Sequence, residues 1–143
     1  MTRTLSTIAL TLALLGTASV AQAADTFLTL RASTPLIASA GGGLRLGSPD
    51  GSMRPTIQGE AGIGGGRISL GLDNTGEGAW GYGVKASILR TWIEAIDVDE
   101  DQTFLGVDLD LSIRQLFFSL GGYRRISNGD DDWMVSAGIG FIF

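Results

Sequence analysis

Between Gln102 and Ile113 the chain changes character at every residue. Leu105, Val107, Leu109, Leu111 and Ile113 are large and aliphatic; Gly106, Asp108, Asp110 and Ser112 between them are small or charged. A period of two puts the two sets on opposite faces of an extended strand, so one face must meet an apolar medium and the other a polar one. The rhythm recurs. Trp80, Tyr82, Val84, Ala86 and Ile88 oppose Gly81, Gly83, Lys85 and Ser87, and Val135, Ala137, Ile139, Phe141 and Phe143 oppose Ser136, Gly138, Gly140 and Ile142. No helix is indicated after residue 26. Strands at this spacing, with turn signals between them, define a sandwich or a barrel.

Weaker alternation marks residues 26–33 and 36–46. The second of these has Leu36, Ala38, Ala40, Gly42, Leu44 and Leu46 on one face and Ser39 and Arg45 on the other. Thr34-Pro35 separates the two segments, because Pro cannot donate to a ladder. Ser48-Pro49-Asp50-Gly51, the Gly-rich stretch 74–79, Arg114-Gln115 and Asn128-Gly129 read as turns or loops, and Ile93 to Asp101 as an acidic loop. Residues 56–73 allow two readings. Gly64-Gly65-Gly66 either turns a hairpin or bulges one long strand. The hairpin gives eight strands; the bulge gives seven, or six if the first segment is not a strand. Single-chain bacterial barrels have even counts from eight upward. The expected fold is therefore all-β, an antiparallel up-and-down barrel of about eight strands.

The faces opposite the aliphatic rows favour a barrel over a soluble sandwich. An open solvent face should be rich in Lys, Glu and Thr. Here it holds Gly and Ser with scattered charges of both signs: Arg45, Glu60, Arg67, Lys85, Asp108 and Asp110. A barrel of about eight strands has an interior that side chains fill, and charges buried there should be paired. Arg67, Lys85, Asp108 and Asp110 are thus expected to form an interior ion network. The 22 glycines of the chain fit the sharp coiling and close approach of a narrow barrel. Running the strands alternately up and down places Trp92, Tyr123 and Trp133 at one end, and Trp80, Phe117, Phe141 and Phe143 at the other. Two aromatic belts around an aliphatic band are the mark of a membrane-interfacial protein. In this reading Trp80, Trp92, Tyr123 and Trp133 are the interface aromatics, with the acidic loops at the outer end and the Arg114-Gln115 turn at the inner end.

The N-terminus gives an address. Arg3 supplies a positive start, Ile8 to Leu15 an apolar core, and Ala21-Gln22-Ala23 a small-x-small cleavage site, the pattern of a secretory signal. The apolar run is too short to span a bilayer as a helix, which takes roughly 20 residues. Residues 1–23 are read as a cleaved signal peptide and residues 24–143 as the barrel domain. The formal net charge of −5 argues against nucleic acid, whose phosphates need a basic face. With neither Cys nor His, the chain has no disulfide framework, no zinc site of the usual type, no Ser-His-Asp triad and no thiol nucleophile.

Together the signal and the terminal strand, which ends on Phe141 and Phe143 with no polar tail, resemble small bacterial outer-membrane β-barrels of the OmpA/OmpX size class. No family-specific motif is matched along the strands. The resemblance implies residence in the outer membrane, contact with its lipid, and recognition of the terminal strand, with Phe141 and Phe143 as the assembly signal, by the envelope's barrel-assembly machinery.

Other patterns carry less. Asp97, Asp99 and Asp101, with Asp108 eleven residues after the first, imitate a calcium loop. Gln102 stands where the sharp-turn Gly belongs, and Asp108 replaces the bidentate Glu. A solvated acidic loop is the better reading, as it is for Asp130 to Asp132 with Glu94 and Glu100. Gly62 to Arg67 lacks the Lys-Ser/Thr and the helix of a phosphate loop. Asp108 and Asp110 at i and i+2 read as members of the ion network sooner than as a general acid–base pair. Arg90 falls on the apolar face near the outer end, where it can snorkel to headgroups, with Arg124 and Arg125 at the same level. No metal, cofactor or catalytic residue is expected. The functional expectation is a small integral outer-membrane barrel with a structural, envelope or surface-interaction role and no enzymatic activity. The alternative is a soluble periplasmic barrel with an apolar interior that binds a lipid or other apolar ligand. A wide diffusive pore is disfavoured, since it needs about sixteen strands.

Overall fold

Gly64 belongs to a turn: the ambiguous stretch is a hairpin. In the computed structural model, which describes residues 24–94, 98–127 and 132–143, β3 (Arg54–Gly62) and β4 (Gly65–Asp73) pair antiparallel across Ile63 and Gly64. A side chain at Gly64 would run into the Pro35 carbonyl, so the tight reversal requires glycine there. The remaining strands are β1 (Ala24–Ser33), β2 (Ile37–Leu46), β5 (Trp80–Thr91), β6 (Thr103–Ile113), β7 (Leu116–Arg125) and β8 (Trp133–Ile142). Each pairs with its sequence neighbour, and β1 pairs with β8, closing an eight-stranded antiparallel barrel. Residues 1–23, read above as a signal peptide, and Asp97, Asp130 and Asp131 lie outside the described residues.

Closure is least extensive at the β1–β8 seam. Its register runs from Thr29↔Ile142 to Ser33↔Gly138, extended by the mutual bonds of Leu28 with Phe143 and the Thr34 N–H bond to the Ala137 carbonyl. Elsewhere the ladders run longer, as from Trp80↔Ile113 to Arg90↔Thr103 between β5 and β6.

The period-two pattern sorts side chains by face. Outward stand Leu28, Leu30, Ile57, Ile68, Leu70, Val84, Ile88, Leu105, Val107, Leu109, Leu120 and Ile139, all exposed. Inward stand Thr29, Arg31, Arg45, Gln58, Glu60, Arg67, Ser69, Lys85, Ser87, Asp108 and Asp110, all buried. The burial is inverted relative to a water-soluble domain, where apolar residues fill the core.

Aromatic placement needs a correction. Trp80, Tyr82, Phe118, Phe141 and Phe143 ring the outer surface at the end holding both Ala24 and Phe143 (the terminal end), and Trp92 and Trp133 stand outward at the opposite, far end. Tyr123, expected in an interface belt, is instead fully buried inside, and Phe117 also points inward. Both share a face of β7 with Ser119 and Gly121, the small polar face, and that parity decides their direction. Leu36, expected on the outward face of β2, lies in the turn before the strand and is buried within the far end. The loop asymmetry is also only partial. Connections 92–102 and 126–132 are long at the far end, but 34–36 and 63–64 are tight there, while 47–53 and 74–79 are long at the terminal end.

Candidate functional site

The interior holds the densest chemistry in the molecule. Three of its aromatics are admitted by glycine. Phe27 faces Gly43 across the β1–β2 ladder, Tyr123 faces Gly106 across β6–β7, and Phe117 faces Gly140 across β7–β8. A Cβ on Gly43, Gly106 or Gly140 would lie less than 3.0 Å from the ring opposite, tighter than real contacts allow.

These rings build two apolar seals. Phe27, Phe117 and Ile142 cluster at the terminal end; Leu36, Leu89, Val98, Phe104 and Tyr123 cluster at the far end with Met134 packed on them. Between Phe27, Arg31, Lys85, Asp110, Phe117 and Ile142 there is no cavity large enough for a water molecule.

Ion pairs run through the barrel from the far-end seal to the terminal rim. Near the far end Glu60 accepts from Ser39 and from Arg67, and Arg31 approaches it at 3.4 Å. Arg31 continues to Asp110 at 3.6 Å, Asp110 to Lys85 at 2.9 Å, Lys85 to Asp73 at 3.2 Å, and Asp73 to Arg45 at 3.3 Å. Arg45 reaches Glu77 at 3.5 Å; Glu77 pairs with Arg54, which holds Asp25 at 3.1 Å. A branch joins Arg67 to Asp108 at 3.1 Å. Asp108 Oδ2 also accepts from Ser87 at 2.5 Å and from the Tyr123 hydroxyl at 2.6 Å.

The network includes all four residues expected in it: Arg67 pairs with Asp108, and Lys85 with Asp110. Asp25, Arg31, Arg45, Arg54, Glu60, Asp73 and Glu77 complete it. The inward parity of Arg45 and Glu60 was visible in the sequence; the part played by Glu77, from the 74–79 loop, was not. Arg45 lies 4.2 Å from the Phe27 ring centre and Arg31 4.8 Å from that of Phe117, so the seals also hold the guanidinium planes.

Chemically this arrangement holds charge in place. The Ser39–Glu60 and Ser87–Asp108 contacts each join a hydroxyl to a carboxylate, but both carboxylates are buried and already paired with Arg67. The acidic loop takes a comparable structural role. Asp101 pairs with Arg90 at 3.1 Å, and the Asp99 carbonyl accepts from Thr91. Asp108, the would-be last calcium ligand, is committed inside β6. Among the described residues no cluster of His, Cys, Asp and Glu suits a metal ion.

A closed eight-stranded antiparallel barrel, aliphatic outside and ion-paired inside, is the architecture of the small bacterial outer-membrane barrels. No protein-family model matches the chain, and no curated protein matches it. Among solved structures it is similar to the N-terminal β-barrel domain of OprF from Pseudomonas aeruginosa, at 14% identity and a TM-score of 0.44, over 82% of this chain and 96% of that one.

Proposed function

We propose that the protein is an integral outer-membrane barrel with a structural or envelope-interaction role and no enzymatic activity, sealed instead of porous. The carrying observation is the inversion of the barrel. Aliphatic side chains face outward on the strands while Arg31, Arg67, Lys85, Asp108 and Asp110 are buried and paired within. In water such an exterior would be one large exposed apolar surface, far beyond what soluble monomers carry. In lipid it is the stable arrangement, because closure leaves no open sheet edge. The alternative, a soluble barrel that binds lipid inside, needs an apolar interior, and the polar residues facing inward oppose it.

In this reading the terminal end faces the periplasm, and the barrel-assembly machinery engages β8 during biogenesis. A test is Leu109→Trp, at a position 54% exposed, in a variant lacking the native tryptophans. Folded in vesicles, the introduced indole should be quenched by lipid brominated along its chains, and the protein should resist carbonate extraction from membranes. A carbonate-released protein whose introduced indole is untouched by bromolipid would remove the membrane assignment.

A further inference from the structure

We propose that the outer surface carries a site for one anionic phosphate-bearing membrane lipid, its acyl chain in the groove below Trp92 and its phosphate at Arg90. The proposal rests on the membrane reading above. Where β2, β3 and β4 meet the surrounding medium, Ala40, Gly59, Ala61 and Gly66 form a groove of about 570 Å³, walled by Ile68 and Ile88. A second hollow of about 410 Å³, beside Leu28, Leu44 and Ile57, continues it through Gly59. The surface is therefore indented along an almost wholly apolar path.

The far end of the path is built differently. Trp92 Nε1 donates to the Ile63 carbonyl at 2.9 Å, which satisfies its polar edge and lays the ring over Gly66. Beside it stands Arg90. Every other outward residue of β5 is apolar (Trp80, Tyr82, Val84, Ala86, Ile88). Arg90 uses one donor on Asp101, and its side chain remains 62% exposed. A guanidinium carries five donors, so those left over can face a phosphate.

An apolar trough with a cation at its interfacial end complements an anionic amphiphile. It does not complement a second copy of the barrel, because no outward strand position among the described residues is acidic. Neither would a free phosphate ion fill it, since the groove would stay empty.

The test uses the full chain folded in phosphatidylcholine vesicles, with Trp80→Phe and Trp133→Phe leaving Trp92 as the reporter. Brominated phosphatidylglycerol and brominated phosphatidylcholine are compared at equal mole fraction. Trp92 should report association about fivefold stronger for the anionic lipid, the size expected for one Arg beside anionic headgroups. Arg90→Gln should equalise the two lipids, and Arg90→Lys should keep part of the preference. Gly59→Leu, where an added side chain meets open space, should fill the groove and lower quenching by both. Folding of each variant is checked by heat-dependent gel mobility.

Equal association of both lipids with the folded parent would overturn the lipid site and leave the barrel reading intact. Displacement by inorganic phosphate would make Arg90 a simple anion site. Loss of lipid contact as the protein-to-lipid ratio rises would assign the groove to a second copy. Absence of quenching by either lipid would remove the membrane reading and this proposal together.

Discussion

Tyr123 stands directly opposite Gly106 in the β6–β7 ladder, and the ring occupies the space that a side chain at 106 would need. From there its hydroxyl donates to Asp108 and accepts from Arg67 at 3.2 Å, joining the far-end seal to the ion network. One missing methyl group thus sets the position of three side chains. Gly106→Ala should cost about 1–3 kcal/mol, the usual penalty for overpacking a filled interior. Urea titration of the vesicle-folded protein checks this, and Tyr123→Phe, which keeps the ring, should cost less.

Arg67 connects Glu60 to Asp108, and its removal leaves the Asp108 carboxylate with hydroxyl partners alone. Breaking a buried pair from one side costs about 3–5 kcal/mol. Arg67→Met should therefore be severe, and Asp108→Asn milder, because Asn keeps the shape and some of the hydrogen bonds. The double variant should be more stable than the sum of the two single losses allows. Strict additivity in a double-mutant cycle would mean that the pair is not coupled.

Leu109 faces outward between Val84 and Leu120, one residue from buried Asp108. An Arg on the lipid side of a barrel at mid-depth costs about 2–4 kcal/mol. Against a net stability of about 5–15 kcal/mol for a small domain, Leu109→Arg should strongly reduce folding in vesicles. The heat-modified fraction on a gel measures this directly.

The two apolar seals and the filled centre predict no discrete conductance steps from the wild-type protein in planar bilayers. Phe27→Ala combined with Phe117→Ala removes two side chains of the terminal-end seal and uncovers Arg45 and Arg31, which rest on those rings. Small ion steps, or at least raised leak, should appear in that variant. Steps from the wild type would show that the interior admits ions despite its packing.

Phe143 is 61% exposed, and its main chain exchanges two bonds with Leu28. Phe143→Ala keeps those bonds, so stability measured in vitro should change little. If the terminal aromatic is read during assembly, the membrane-inserted yield in cells should fall while secretion and signal cleavage continue. Equal inserted yields would refute that role.

Much of this fold was legible because a strand's period is two and the medium differs on its two sides. Gln102 to Ile113 shows the barrel's inside and outside by alternation alone, and from that parity Asp108 and Asp110 face Lys85 and Arg67. Tyr123 was misread because its nearness to a strand end was weighed above its parity with Ser119 and Gly121. Glu77 was not legible at all. It enters the network from a loop, where no periodicity constrains direction, and only the closed three-dimensional path brings it to Arg45 and Arg54. The Gly–aromatic pairs were hidden for a related reason: each depends on the register between two strands, and a single strand's pattern does not state its register.

The double seal bears on how many copies a cell can carry. A water-filled barrel costs its host a leak with every molecule, so its abundance must be balanced against the gradients and small solutes it lets pass. In the proposed membrane reading, a barrel stoppered at both ends by Phe27, Phe117 and Ile142 and by Leu36, Leu89 and Phe104 would take up membrane area without adding a leak. Its number is then limited by crowding in the plane, and it can be deployed densely, as a rivet is and a window is not.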